Sequence, residues 1–538
     1  MIKRFHASIV MLLILSLFVA MFSGCTSNTD VPDPTKKPDQ TNEPSTDDEQ
    51  KEKITLTVLE TSKPAIDSLI GGDFNKRPWS IELEKRTGVH IEYLMTTDED
   101  YDTQMSLLIT SGDIPDIFNL PSNYPGGIER AAQEGLMVKI SDYWDEHAPN
   151  YKKWIMSNPE WEKNIKNDNG DVYQFAALRE DILNRVFFGP MLRKDLLDKA
   201  NLPLPETVDD WHTTLTAFKD MGVKNPFTAL NWFIGYSGAF AGAYGVNSVM
   251  YLDDTGIHYG PIEQGYKEYL TTFNQWYKEG LIDPDFVTLK DWGILTTKVT
   301  SGDSASLVHF LGNIVNYTVA GKEVTPEYQL VATKYPVLNK GDKPKFGQQD
   351  PPLTTTSMVS ASSEHFERAI EYLDYGYTDE GIALLNFGIE GESFNYDESG
   401  KPVYSELIIP GPNTKNDWTQ EQALAMYCPN AATADTVDTK AYFEQIRLGN
   451  PLQLEAAKMW ADVQFSSLLP NLAFTEEETD VTKKMADVET YVEEMTAKFI
   501  LGDEPLDRFD EYVQTIKDWD IDEILKVYND AYTRFSNR

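Results

Sequence analysis

Three residues of the stretch Asp168-Asn169-Gly170-Asp171 carry oxygen side chains around a glycine and could ligate a calcium ion. Calcium loops use a longer alternation of oxygen ligands that closes with a bidentate glutamate. The stretch lacks both the full 12-residue alternation and that closing residue. We therefore interpret it as a hairpin turn. The sequence predicts no metal site and no cofactor.

Carboxylate pairs are the next chemistry that the composition allows. Glycoside hydrolysis needs two carboxyl groups about 5 to 9.5 Å apart on either side of the scissile bond. The chain has 86 Asp and Glu residues, so such a pair is compatible with its composition. No Gly-x-Ser-x-Gly elbow, His-Glu-x-x-His motif, P-loop or cysteine-rich metal cluster occurs in the sequence. An exported glycoside hydrolase stays an alternative, although we expect no catalytic activity.

Cys25 is one of only two cysteines and follows a short apolar segment. Lys3 and Arg4 precede an apolar run at residues 9–22, which is too short to span a bilayer but suits an export signal. Residues 22–25 (FSGC) resemble the lipobox of bacterial lipoproteins, with Phe22 where leucine is usual. We predict a signal peptide at residues 1–24 and acylation of Cys25. The alternative is an ordinary signal peptide with an incidental cysteine.

A polar segment separates Cys25 from the folded body. Residues 25–53 are rich in Pro, Asp, Thr and Ser and nearly free of aliphatic side chains. Such a segment buries too little apolar surface to fold, and its prolines favour an extended tether. The whole chain carries a formal net charge of −39. Because a polyanion is repelled by nucleic acid, we expect no nucleic-acid partner.

The body alternates strand and helix patterns, which indicates an α/β fold with mainly parallel sheets. The patterns predict strands at 54–60, 89–93, 186–192, 328–337 and 354–360, and a turn into a further strand at 112–118. They also predict helices at 80–86, 101–110, 193–200, 208–220 and 261–279, and a hairpin turn at 253–256. From about residue 420 onward helical patterns dominate. We therefore expect two α/β lobes and a helical C-terminal layer.

The order of several short motifs resembles the extracellular solute-binding proteins of the maltose-binding class, and within it the large lipoproteins of Gram-positive bacteria. The motifs are residues 111–117 (SGDIPDI), 188–197 (FGPMLRKDLL), 201–211 (NLPLPETVDDW), 366–374 (FERAIEYLD), 387–392 (FGIEGE) and 506–512 (LDRFDEY). They follow the lipobox in the family's order and cover nearly the whole mature body.

The resemblance implies a two-lobed clamp of the periplasmic-binding-protein type II fold, with hinge strands and a helical C-terminal layer. The expected first lobe is residues 54–185 and 354–412, and the expected second lobe is residues 186–353 and 413–538. The family implies a protein anchored by lipid at the extracellular face of the cell membrane. It would capture an oligosaccharide by domain closure and deliver it to the permease subunits of an ABC transporter, as a monomer.

Candidate ligand-binding residues follow from that resemblance and from the chemistry of sugars, which need flat aromatic faces and planar polar groups. The candidates are Asn119, Tyr124, Arg193, Trp232, Tyr236, Trp292, His309, Asn313 and Glu390. His309 and Asn313 lie in residues 305–313 (ASLVHFLGN). This stretch resembles the strand and helix start where family members often carry an aromatic residue and an amide. No tryptophan stands within that stretch here. For most candidates the alternative is a packing or ion-pair role.

Two further alternatives stay open at this point. A binding protein for a peptide would want backbone-pairing edges and charge clamps for the peptide termini, and the sequence displays neither. A surface adhesin would favour repeats or all-β sandwiches over this order of strands and helices. We therefore expect the solute to be an oligosaccharide.

Overall fold

The computed structural model describes residues 54–230, 239–415, 417–429, 434–466 and 468–538. The strands are β1 (Ile54–Thr61), β2 (Val89–Thr96), β3 (Ile117–Phe118), β4 (Gln174–Arg179), β5 (Phe188–Arg193), β6 (Asn225–Phe227), β7 (Met250–Asp253), β8 (Gly256–Tyr259), β9 (Ser304–Phe310), β10 (Leu330–Ala332), β11 (Leu353–Val359), β12 (Phe394–Tyr396), β13 (Pro402–Tyr404) and β14 (Val437–Asp438).

Helices connect and cover these strands. The α-helices are α1 (Pro64–Ile70), α2 (Pro78–Thr87), α3 (Tyr101–Ser111), α4 (Gly127–Gln133), α5 (Pro149–Ser157), α6 (Pro159–Ile165), α7 (Ile182–Arg185), α8 (Lys194–Lys199), α9 (Val208–Asp220), α10 (Gln264–Lys278), α11 (Trp292–Thr300), α12 (Asn313–Lys322), α13 (Phe366–Asp374), α14 (Asp379–Phe387), α15 (Gln420–Tyr427), α16 (Lys440–Ile446), α17 (Pro451–Ala461), α18 (Glu476–Thr482), α19 (Met485–Leu501), α20 (Phe509–Asp518) and α21 (Ile521–Ser536). Within the described residues, no helix combines the length and the apolar character needed to cross a bilayer.

Two main sheets form the centres of two lobes, as the sequence predicts. The first has the strand order β14-β4-β11-β3-β1-β2, and the second has the order β10-β5-β9-β6. In the first sheet β1 runs parallel to β2 and to β3, so the carboxyl ends of these strands meet at one edge. Separate hydrophobic cores cover the two sheets. The fold therefore presents one edge of parallel strand ends in the first lobe.

Local sequence signals explain where several elements begin and end. Helix α9 occupies the predicted residues 208–220, and Thr207 and Asp210 form a reciprocal capping box at its start. The predicted helix 261–279 begins later, at Gln264, because Gly260–Ile262 form a 3₁₀ turn. The predicted strand 328–337 is confined to Leu330–Ala332. The predicted hairpin turn at 253–256 joins β7 to β8.

The chain passes between the two sheets three times. It leaves the first sheet after β4, returns to it with β11, and leaves again after β14. Helix α15 packs against α1, whereas α17 packs against β10 of the second sheet. The last crossing therefore follows β14, because β14 adds a parallel strand to β4 of the first sheet. The sequence predicts this boundary earlier, at residue 413.

Candidate ligand-binding site

A cavity of about 980 Å³ lies beyond the ends of β1 and β3, and we call it the strand-end cavity. Glu60 and Thr61 line it from the end of β1, and Asn119 lines it from the loop after β3. Asp435 and Arg447 border it from the segments around β14. Ligands of open α/β sheets bind beyond the carboxyl ends of the strands. Its volume suits a small organic ligand.

Asn119 is presented by a clamp on its backbone. The Tyr101 hydroxyl donates to the carbonyl oxygen of Asn119 and accepts from its amide, both at 3.1 Å. Burial raises the pKa of Tyr101 to about 12, so its hydroxyl keeps its proton at neutral pH. Asn119 itself is exposed. The clamp therefore fixes the loop while the amide side chain of Asn119 stays accessible.

The buried guanidinium of Arg77 supports the aromatic side of the strand-end cavity. Its Nε donates to the Phe74 carbonyl at 3.0 Å and to Ser80 Oγ at 3.1 Å, and its Nη2 donates to the Tyr93 hydroxyl at 3.2 Å. Its Cζ lies 4.3 Å from the centre of the Trp79 ring. Burial lowers the pKa of Arg77. Because Tyr93 and Trp79 both line the cavity, Arg77 holds two rings in place there.

Asp435 links the cavity to the strand by which the chain re-enters the first sheet. Its carboxylate accepts from the hydroxyls of Thr356 and Ser357, the latter at 2.7 Å. Both hydroxyls belong to β11, next to an irregularity in its pairing with β4. Burial raises the pKa of Asp435 to about 6, and the two hydroxyls partly oppose that shift. Asp435 is therefore mostly ionised at neutral pH.

The second lobe carries a different surface, which we call the aromatic patch: Trp292, Phe310, His309, Asn313 and Tyr317. Trp292 begins α11 and Phe310 ends β9, with ring centres 5.5 Å apart and planes inclined by 24°. Both residues stay partly exposed, at 40% and 38%. The patch offers the flat face that sugar rings prefer.

A buried histidine organises the polar edge of the aromatic patch. His309 Nδ1 accepts from the Phe310 amide at 2.7 Å and lies 2.8 Å from the Asn313 amide nitrogen. Its Nε2 lies 3.2 Å from the Tyr317 hydroxyl and therefore carries the ring proton. Burial lowers the pKa of His309 to about 4, so the ring is neutral at pH 7. The Asn313 side-chain nitrogen is directed to the histidine, and its Oδ1 accepts from the Asn316 side-chain amide at 3.5 Å.

Other predicted residues lie elsewhere. Tyr124 donates to the Glu134 carboxylate and lines a separate groove of about 480 Å³. Arg193 is buried, pairs with both oxygens of Asp195 at 2.7 Å and lies 3.9 Å from the centre of the Tyr328 ring. Glu390 is exposed in the loop before β12 and does not line the strand-end cavity. The structure does not bring these three together with the other candidates.

Three predicted residues fall outside the described part of the chain. They are Cys25, Trp232 and Tyr236. The other cysteine, Cys428, is a buried free thiol, and burial raises its pKa well above its usual range. It borders the strand-end cavity.

The Asp168 stretch forms a turn, but the predicted hairpin is wrong, because the turn joins α6 to β4 rather than one strand to another. The Asn167 amide donates to the Asp171 carbonyl at 3.0 Å, and Asn167 Oδ1 accepts from the Asp171 amide at 2.9 Å. The Asp168 carboxylate accepts from Arg534 and Arg538 at 2.7 to 3.0 Å. Across the described residues, no group of three or more His, Cys, Asp or Glu side chains is arranged to hold a metal ion.

Sequence reasoning missed three contributors: Arg77, Phe310 and Asp435. The spacing of Arg77 between Phe74 and Trp79 is a local signal for a cation held by rings. Phe310 lies inside the tryptophan-free stretch that contains His309 and Asn313, and it stacks on Trp292 in the structure. No local pattern marks Asp435, because its partners on β11 are 78 and 79 residues away.

The fold and the two surfaces define a two-lobed binding protein. The family model for bacterial extracellular solute-binding proteins matches residues 60–383, which is more than half of the chain. The chain belongs to this family, and the resemblance stated from the sequence motifs is confirmed.

Individual proteins agree with this assignment. The fructooligosaccharide ABC transporter substrate-binding protein FusA of Streptococcus pneumoniae is 27% identical over 315 residues, a match that spans 55% of this chain and only 56% of that protein. The lipoprotein LipO of Bacillus subtilis is 23% identical over 488 residues, 85% of this chain and 89% of that protein. A crystal structure of the alginate-binding protein AlgQ2 has a TM-score of 0.70 at 21% identity, over 89% of this chain and 98% of that one, and so shares the fold. The chain is a binding protein, and the hydrolase alternative is not supported.

Proposed function

We propose that the chain is the oligosaccharide-binding component of an ABC importer, held at the outer face of the cell membrane by lipid on Cys25. One observation carries the proposal: a cavity of hydrogen-bonding groups at the strand ends of one lobe and an exposed pair of stacked rings in the other. Saccharides require both kinds of surface, since their hydroxyls need acceptors and donors while their C–H faces need rings. The protein acts as a monomer.

Capture in this proposal follows from closure of the two lobes. The first lobe orients hydroxyl groups through Asn119 and Asp435, and the second lobe covers the sugar with Trp292 and Phe310. A ligand stabilises the closed form only to the extent that it binds that form better than the open one. The closed, loaded protein then delivers the sugar to the permease subunits.

Relatives support the saccharide class and leave the particular sugar open. The name of FusA refers to fructooligosaccharides, and the name of AlgQ2 refers to alginate, an acidic polysaccharide. Because these two ligands differ in charge, the particular sugar has to be inferred from the side chains of this chain.

The direct test is thermal unfolding of lipid-free protein, residues 26–538, with a panel of neutral and acidic oligosaccharides. At a hundredfold excess over Kd a ligand adds about 2.7 kcal/mol to the free energy of unfolding. We expect a rise of several degrees with one class of sugar, and chromatography should recover that sugar intact after long incubation. A rise with peptides alone would contradict the proposal, as would cleavage of the sugar.

Lipid anchoring has its own test, since the chain provides a matched control. We expect the full-length protein to incorporate labelled palmitate and to fractionate with membranes. The substitution Cys25→Ala should abolish both properties, whereas Cys428→Ala should keep them because that thiol is buried in the folded body. Membrane association that survives Cys25→Ala would contradict the anchor.

A further inference from the structure

The balance of charge in the strand-end cavity is negative. Among the described residues, its charged lining consists of five carboxylates, namely Glu60, Asp98, Asp102, Glu421 and Asp435, and three cations, namely Lys63, Arg77 and Arg447. Asp98 and Glu421 are exposed, and Glu60, Asp102 and Asp435 are partly buried. A ligand carboxylate would therefore meet more negative than positive side chains.

The most deeply placed cation is occupied by the protein itself. Arg77 is 6% exposed and donates to Phe74, Ser80 and Tyr93. The faces of the guanidinium lie against aromatic rings, 4.1 Å from the Phe74 ring centre and 4.3 Å from that of Trp79. An Arg that recognises a carboxylate uses two parallel N–H donors directed at it. Arg77 has its donors turned toward the protein instead.

The other two cations also face protein groups. Lys63 lies 3.3 Å from Thr61 Oγ1 and 3.8 Å from the Glu60 carboxylate. Arg447 lies near the buried carboxylate of Asp438 and the partly buried carboxylate of Asp350, and its charge opposes the rise that burial causes in their pKa values. Redirecting Arg447 to a ligand would leave those carboxylates less well compensated.

The aromatic patch does not reverse this balance. Its five described members carry no positive charge at neutral pH, since burial keeps His309 neutral. The cation on the same helix, Lys298, is bound to both oxygens of Asp283 at 2.8 and 2.9 Å and to Asp285 at 2.8 Å. Its charge is therefore matched by two carboxylates.

We infer that the ligand is a neutral oligosaccharide, and that uronate-containing oligosaccharides of the alginate or pectin type are discriminated against by the strand-end cavity. This inference rests on the proposed function and specifies its substrate class. Carboxylates are acceptors only, so they suit a ligand rich in hydroxyl donors, and such charge-assisted hydrogen bonds are the stronger kind. Juxtaposing like charges in a binding interface instead opposes association.

The test compares oligosaccharides of equal length that differ in charge. Titration calorimetry would use galactotetraose against tetragalacturonate and mannotetraose against tetramannuronate, with nystose and stachyose as further neutral probes. We expect at least one neutral probe to bind and both acids to bind at least about 30-fold more weakly than it, because like charges oppose each other across the interface. An acid that binds as tightly as the best neutral probe overturns the inference while supporting the proposed function. Failure of every saccharide to bind contradicts the proposed function, and the inference with it.

A variant in which two carboxylates are neutralised tests the role of the cavity without disturbing the core. Asp98→Asn combined with Glu421→Gln removes two exposed carboxylates of the cavity. The control, Glu398→Gln combined with Asp522→Asn, makes the same change in net charge at exposed sites that do not line it. In low salt the first variant should narrow the discrimination against acids several-fold and the control should not. Equal effects of the two variants would mean that net charge, rather than the cavity, excludes the acids, and would overturn the inference.

Discussion

The strand-end cavity and the aromatic patch are built by opposite physical means. The cavity gathers ionised side chains from distant parts of the chain and holds Asp435 in its charged form through two hydroxyls of β11. The patch gathers rings and amides from a short stretch and keeps its one titratable base, His309, neutral by burial. One lobe is therefore suited to orient hydroxyls and the other to cover apolar sugar faces. Separating the two chemistries leaves each lobe with an incomplete site, which favours binding that is strong only when both lobes engage.

The first prediction sharpens this comparison through pH, where the two regions should respond with opposite signs. For His309 the folded pKa of about 4 lies below the usual value of 6.5 for the unfolded chain. The unfolded chain therefore takes up the proton first as pH falls, and stability is lost between about pH 6.5 and 4. For Asp435 the folded pKa of about 6 lies above the usual value of 3.8 for the unfolded chain, so stability is lost as pH rises from about 4 to 6. Each group contributes about 3 kcal/mol, since one pKa unit corresponds to about 1.4 kcal/mol.

The measurement is the unfolding temperature of the wild type and of two variants from pH 4 to pH 8. Relative to the wild type, His309→Gln should gain stability toward low pH and Asp435→Asn should gain stability toward high pH, each by about a few degrees. Because each variant is read as a slope against the wild type, a constant loss from imperfect packing does not obscure the sign. Parallel slopes for the two variants would contradict the contrast between the regions.

The second prediction tests whether the aromatic patch binds the ligand. Trp292→Ala removes a ring that is 40% exposed, and we expect an affinity loss of about 2 kcal/mol, or about 30-fold, typical of an aromatic hot spot. Trp519→Ala is the matched control, because that ring is 39% exposed but lies between α20 and α21. Titration of both variants with the best sugar of the panel measures the difference. Equal losses of affinity for the two variants would show that the aromatic patch is not part of the ligand-binding site.

Much of the fold could be predicted from sequence because its signals are local. The alternating pattern at 54–60 and the capped pattern at 208–220 coincide with β1 and α9. The last crossing between lobes could not be predicted this way, because β14 is only two residues long and joins β4 through tertiary contacts.

The residues of the candidate site likewise divide into those with local sequence signals and those that are positioned only by the fold. His309 and Asn313 are four residues apart, and their contact follows from a strand running into a helix. By sequence Arg193 is an equally suitable ligand contact, but its Nε and Nη2 both donate to the carboxylate of Asp195, two residues later. Asp435 reaches β11 only through folding, so no window of sequence could reveal it. The assignment of ligand contacts therefore stays a prediction that affinity measurements must decide.

The third prediction has the smallest expected effect. It distinguishes two residues of one loop that the sequence predicts equally to contact the ligand. Asn119 lines the strand-end cavity, whereas Tyr124 lines the neighbouring groove and donates to Glu134. Asn119→Ala should weaken sugar binding by about 1 kcal/mol, roughly fivefold, as expected for one hydrogen-bonding group. Tyr124→Phe keeps the ring and removes only the hydroxyl, so it should leave the affinity unchanged. If Tyr124→Phe weakened binding as much as Asn119→Ala, the ligand-binding site would extend into the groove beside Arg130. The ligand would then not be confined to the strand-end cavity.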